Sequence, residues 1–96
     1  MALSDLGLFK PGKEAATAAA EGKTRRDGPK PVNTSGGLKS KGHPVGATGA
    51  GMVVEIFEQM KGHAGPRQVP IDANLTLTHN VGAHGTTVVV QIYERR

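Results

Sequence analysis

Val32-Asn33-Thr34-Ser35-Gly36-Gly37-Leu38-Lys39-Ser40-Lys41-Gly42-His43-Pro44-Val45-Gly46-Ala47-Thr48-Gly49 opens with a polar cluster and closes in a run of small residues. Asn33 through Gly37 carries the short polar side chains and glycines that favour turns. Gly42-His43-Pro44 follows, and after it the clearest helix of the chain. Pro44 suits the first helical position, where a missing N–H costs nothing. Met52, Val53, Ile56, Phe57 and Met60 then recur at helical spacing, with Glu55, Glu58, Gln59 and Lys61 between them, and Gly62 is the expected stop. The helix begins with Gly46, Ala47, Thr48, Gly49, Ala50 and Gly51. A glycine inside a helix costs about 1 kcal/mol relative to alanine. Close approach of a neighbouring backbone is the expected compensation.

Downstream, residues 73–79 alternate Leu75 and Leu77 with Thr76 and Thr78, the period-two signature of a strand. Residues 86–93 are richer still in β-branched side chains, and the run Val88–Val90 predicts burial on both faces. The short connector Asn80-Val81-Gly82-Ala83-His84-Gly85 predicts an antiparallel hairpin. Upstream, residues 1–9 hold Leu3, Leu6 and Leu8 around Gly7 and read as a helix end or a turn. Residues 10–31 are rich in Lys, Ala, Gly and Pro and read as an excursion over the surface, with one or two helical turns within 15–21. Residues 32–96 form the core of what is expected to be one α/β unit: a strand near Val32, a buried helix and a terminal antiparallel β-hairpin.

Composition sets bounds on function. Leu, Ile, Val and Phe make up 20 of the 96 residues, and Ala and Gly supply much of the remainder. A chain of this size buries only about 60–65% of its unfolded surface, so small residues make a thin core. The net charge of +4 permits anionic partners. Its cations are not interleaved with aromatics, since only Phe9, Phe57 and Tyr93 could stack on a base. No nucleic-acid partner is therefore expected. With no cysteine, the chain offers neither a disulfide nor a thiol nucleophile. No run approaches the roughly 20 apolar residues of a membrane span, and residues 1–5 lack the basic and apolar regions of a signal peptide. No membrane association is expected, and cytoplasm is the expected location.

Generic motifs fail. No Gly-Lys-Ser/Thr is present to complete a phosphate loop, and Gly49-x-Gly51 lacks the third glycine of a dinucleotide fingerprint. His43, His63, His79 and His84 lack convergent cysteines or carboxylates, and no metal site is expected. His43 is more informative. Just before Pro44 it would sit at or beside the helix N-cap, where the positive end of the dipole disfavours an imidazolium. A neutral ring there could accept a proton from a thiol or direct an N–H at an oxyanion. Physics alone favours an ordinary capping histidine, because a lone His carries little specificity.

The stretch from Val32 to Gly49 resembles the glycine-histidine-proline block of thiolases. Thr78-His79-Asn80-Val81-Gly82-Ala83-His84-Gly85-Thr86-Thr87-Val88-Val89-Val90 is similar to the final block of the same superfamily. Leu6 through Gly12 resembles the segment before the first block, so the resemblance spans nearly the whole chain. Classical thiolases carry a Cys-x-Gly motif in the last block. His79-Asn80-Val81-Gly82 resembles instead the sterol-carrier-protein-2 type and the related archaeal and bacterial acetyl-CoA acetyltransferase branch.

The resemblance implies acyl transfer on coenzyme A thioesters, with acyl-CoA and coenzyme A as substrates and no resident cofactor. It implies that His43 activates a nucleophilic cysteine that belongs to the family's N-terminal half. In the sterol-carrier-protein-2 type the acid/base cysteine comes from a His-Asp-Cys-Phe motif, also upstream of Met1. His79, Asn80, Val81 and Gly82 are candidates for an active-site loop with an oxyanion-binding N–H, a structural role for the His79 and Asn80 side chains staying open, and Ser35 and Gly36 are candidate substrate contacts. Lys39, Lys41 and Arg67 could attract coenzyme A phosphates or be solvated charge. On this reading residues 1–96 are a partial C-terminal domain, expected to join a missing N-terminal thiolase portion and to form homo- or hetero-oligomers. Three arrangements stay open: a fragment of a whole thiolase, one chain of a two-chain enzyme, or a non-catalytic interaction module.

Overall fold

A computed structural model describes residues 2–70, 72–82 and 84–96. Four helices precede a two-stranded sheet: α1 Ala2–Asp5, α2 Glu14–Ala20, α3 Gly37–Lys41, α4 Thr48–Lys61, then a 3-10 turn Gly65–Arg67, β1 Leu75–Val81 and β2 Val88–Glu94. This is the expected α/β composition ending in an antiparallel hairpin. The region around Val32 departs from expectation. Residues 31–33 join no ladder, and the Val32 N–H donates instead to the Thr24 carbonyl at 3.0 Å. The polar cluster does form a turn, closed by Gly36 N–H on the Asn33 carbonyl at 2.8 Å. Gly36, at φ +89, is then the N-cap of α3, a short helix the sequence reading did not anticipate.

The α4 helix starts four residues later than Pro44. Residues 45–47 make a turn, with the Pro44 carbonyl accepting from Ala47 N–H at 2.8 Å and Thr48 N–H at 3.0 Å. Pro44 therefore supplies the first acceptor and is not itself a helical residue. The stop at Gly62 holds. Its φ of +72 reverses the chain, so that His63 N–H reaches the Glu58 carbonyl at 2.8 Å and Gly62 N–H the Gln59 carbonyl at 3.2 Å. Those two bonds satisfy carbonyls the helix would otherwise leave open.

The α4 helix is pinned by polar groups as much as by apolar ones. Gln59 Nε2 donates to the Arg67 carbonyl at 2.8 Å and to Glu55 Oε1 at 3.1 Å, and its Oε1 accepts from Val69 N–H at 2.9 Å. Arg67 bridges Glu55, at 3.2 Å, and Glu58. Thr34 in the turn before α3 joins this network through Gln59 at 3.3 Å. Of the predicted apolar face, Met52, Ile56 and Met60 are half-buried, whereas Val53 and Phe57 are exposed.

The hairpin registers Leu75 on Glu94, Leu77 on Ile92, His79 on Val90 and Val81 on Val88. Both strands lie about two residues beyond their expected starts, so Asn80 and Val81 belong to β1 while Thr86 and Thr87 belong to the connection. Side chains alternate between faces. Thr78 is buried and Thr76 half-buried, on the face toward α4. The opposite face, with Leu75, Val81, Val88, Val90 and Ile92, is open. The predicted two-sided burial of Val88–Val90 is not met within this chain, because α4 packs chiefly on β1 and all three valines of β2 stay exposed. Among the described residues those that are buried are small: Ala18, Ala64, Thr48 and Thr78.

Candidate functional site

Gly42 ends α3 at φ +83 and releases His43 into the turn that feeds α4. His43 is exposed and does not occupy the N-cap, which is Ala47. Its ring is nonetheless held. Nδ1 lies 2.7 Å from Oγ1 of Thr48, the first residue of α4, and that oxygen lies 3.2 Å from the Pro44 carbonyl. Thr48 is only 2% exposed, so its hydroxyl has little room to seek other partners. Sequence reasoning passed over Thr48. The signal available was a Thr four residues after Pro44, spacing at which a helical hydroxyl bonds back to a carbonyl.

The second block reaches the same place through Asn80. A Cβ built on Gly49, next to Thr48, would fall 2.8 Å from the Asn80 Nδ2. The small residues at the start of α4 thus let β1 approach closely, as their composition suggested. His79 and Val81 alternate to the other face of the sheet, away from α4. Of the four candidates in that stretch, Asn80 alone faces α4, and three of the four are strand residues instead of a loop. The Gly82 N–H donates to the Thr87 carbonyl at 2.7 Å, so within the hairpin it is already committed.

Ser35 and Gly36 lie in the turn before α3, where a Cβ at position 36 would press on Ser40 at 2.6 Å. Lys39 and Lys41 are exposed, while Arg67 is engaged with Glu55 and Glu58. His63 closes the end of α4 through its backbone, and His84 is exposed in the hairpin connection. Among the described residues no three His, Asp or Glu side chains gather where a metal ion could bind, and no helix is long and apolar enough to cross a membrane.

What the arrangement offers chemically is one exposed imidazole, anchored through Nδ1, at the mouth of a helix against which an asparagine amide is packed. Residues 1–95 match the family model described as thiolase C-terminal domain-like. The chain is 47% identical over 95 residues to an acetyl-CoA acetyltransferase of Methanothermobacter thermautotrophicus, covering 99% of this chain and 24% of that protein. It is 42% identical over 94 residues to an acetyl-CoA acetyltransferase of Methanocaldococcus jannaschii, covering 94% of this chain and 24% of that protein. Sterol carrier protein 2 of Homo sapiens is 46% identical over 89 residues, covering 93% of this chain and 16% of that protein. The chain therefore spans a quarter or less of the length of these relatives.

Proposed function

The chain belongs to the thiolase C-terminal domain-like family, and from that premise we propose that it supplies the active-site histidine of a thiolase-type acyl-CoA acyltransferase. Supporting this reading is the meeting of the two resembling blocks at the start of α4, with His43 held by Thr48 and Asn80 packed on Gly49. His43 accepts the proton of a cysteine thiol. The thiolate attacks the thioester carbonyl of an acyl-CoA, the bond to the coenzyme A sulfur breaks, and that sulfur leaves with a proton. The acyl group stays on the cysteine until a second acceptor takes it.

This chain has no cysteine, so the nucleophile comes from another polypeptide segment, the N-terminal thiolase portion. The 24% coverage of the two acetyltransferases fits that division. Coenzyme A thioesters are the substrates, no resident cofactor is required, and the assembly is an oligomer. A second reading, a non-catalytic interaction module of thiolase descent, draws on the open apolar face of the hairpin.

Activity of the assembled enzyme separates the two. With the cysteine-bearing portion present, His43→Ala should lower turnover on the order of 10²–10⁴-fold, the usual loss for a general base or oxyanion donor. His84→Ala should be far milder. Turnover unchanged in the His43 variant at equal protein level would favour the interaction module.

A further inference from the structure

Two contacts converge on one hydroxyl. Thr48 Oγ1 lies 2.7 Å from His43 Nδ1 and 3.2 Å from the Pro44 carbonyl oxygen. A hydroxyl owns one proton and two lone pairs, and a carbonyl can only accept. The contact with Pro44 is a hydrogen bond only if the Thr48 proton points at that carbonyl. Oγ1 then meets Nδ1 with a lone pair, and Nδ1 must carry a proton for that contact to be a bond as well. In the other tautomer one of the two contacts places acceptor against acceptor. Only the Nδ1–H form satisfies both.

We infer that Thr48 is a positioning residue that holds His43 in the Nδ1–H tautomer, leaving Nε2 bare and turned away from α4. The inference deepens the acyltransfer reading and rests on it for its catalytic meaning. The two ring nitrogens diverge, so fixing Nδ1 on the helix directs Nε2 outward, where a thiol proton can be taken. Once Nε2 is protonated, the chain from Nδ1–H to Oγ1 and from Oγ1–H to the Pro44 carbonyl needs no rearrangement. Its dipoles already point their negative ends at the new positive charge, which is how preorganised groups stabilise charge without reorganising. Thr48 holds this role firmly because its own N–H is bonded to the same carbonyl at 3.0 Å and its side chain is buried.

The ring nitrogens report the tautomer directly. In the full chain labelled with 15N-histidine, nitrogen shifts of His43 are recorded with the ring neutral, in solution or by magic-angle spinning, which reads assemblies of any size. Nδ1–H should dominate in the wild type and in Thr48→Ser, which keeps the hydroxyl. Thr48→Val keeps the shape and loses the bond, and the ratio should move toward Nε2–H by roughly three- to tenfold, the worth of one hydrogen bond. A dominant Nε2–H form in the wild type overturns the inference, even if the Val variant does not fold. So does a Val spectrum that matches the wild type. Failure of the acyltransfer reading looks different: His43→Ala would retain turnover while the wild-type tautomer stays Nδ1–H.

Discussion

The Asn80 amide lies against the backbone of Gly49 so closely that a Cβ at position 49 would stand 2.8 Å from Nδ2 and 3.8 Å from Cγ. This pair joins the start of α4 to β1. Gly49→Ala should gain about 1 kcal/mol of helix propensity and lose roughly 1–3 kcal/mol by overpacking, so the net effect is destabilising. With Asn80→Ala already in place the obstruction is gone, and the same change should stabilise. Melting midpoints at matched protein concentration test this sign reversal. Equal destabilisation in both backgrounds would show that the pair does not interact.

Gly62 and Gly51 make a second contrast. Gly62 sits at φ +72, where a side chain costs about 1–2 kcal/mol, so Gly62→Ala should destabilise by that amount. Gly51 lies inside α4, and the nearest atom to an added Cβ is the Lys41 Nζ at 3.7 Å. Gly51→Ala should therefore stabilise by roughly 0.5–1 kcal/mol. The two variants should shift the melting midpoint in opposite directions.

The open face of the hairpin bears on association. Ile92 is 70% exposed and Leu75 63%, with Val81, Val88 and Val90 near half. Contiguous apolar surface and unpaired strand edges favour contact with another chain. The purified chain should elute from size exclusion well above its 10.0 kDa mass. Leu75→Lys with Ile92→Lys should move it toward the monomer, and addition of the cysteine-bearing portion should draw the wild type into a defined complex. A monodisperse wild-type monomer would show that the face needs no cover.

Alone, the chain should not cleave acetoacetyl-CoA in the presence of coenzyme A. Thiolase chemistry passes through an acylated thiol, and the chain has none. Product above the enzyme-free blank, from protein free of contaminating thiolase, would defeat the assignment of the nucleophile to another segment.

Elements that depend on near neighbours were legible in the residues. The apolar spacing from Met52 to Met60 marked α4, Gly62 marked its end, and alternation marked two strands and their antiparallel pairing. Short-range sterics went unread at two places. Five residues from Gly37 to Lys41 form α3 despite a glycine at its start, and the Pro44 turn delays α4 to Thr48.

Sequence by itself determined the family, the α4 helix, the terminal antiparallel hairpin and the absence of a thiol, because each is written in local order or composition. Tertiary structure alone decided which candidates meet. Thr48 sits under His43, Asn80 turns toward Gly49 while His79 turns away, and Arg67 spends its charge on Glu55 and Glu58. Period-two alternation says that neighbours on a strand face opposite ways, but not which way is inward. That depends on where α4 lies, and its glycines let the threonine face of β1 approach while the leucine face stays open.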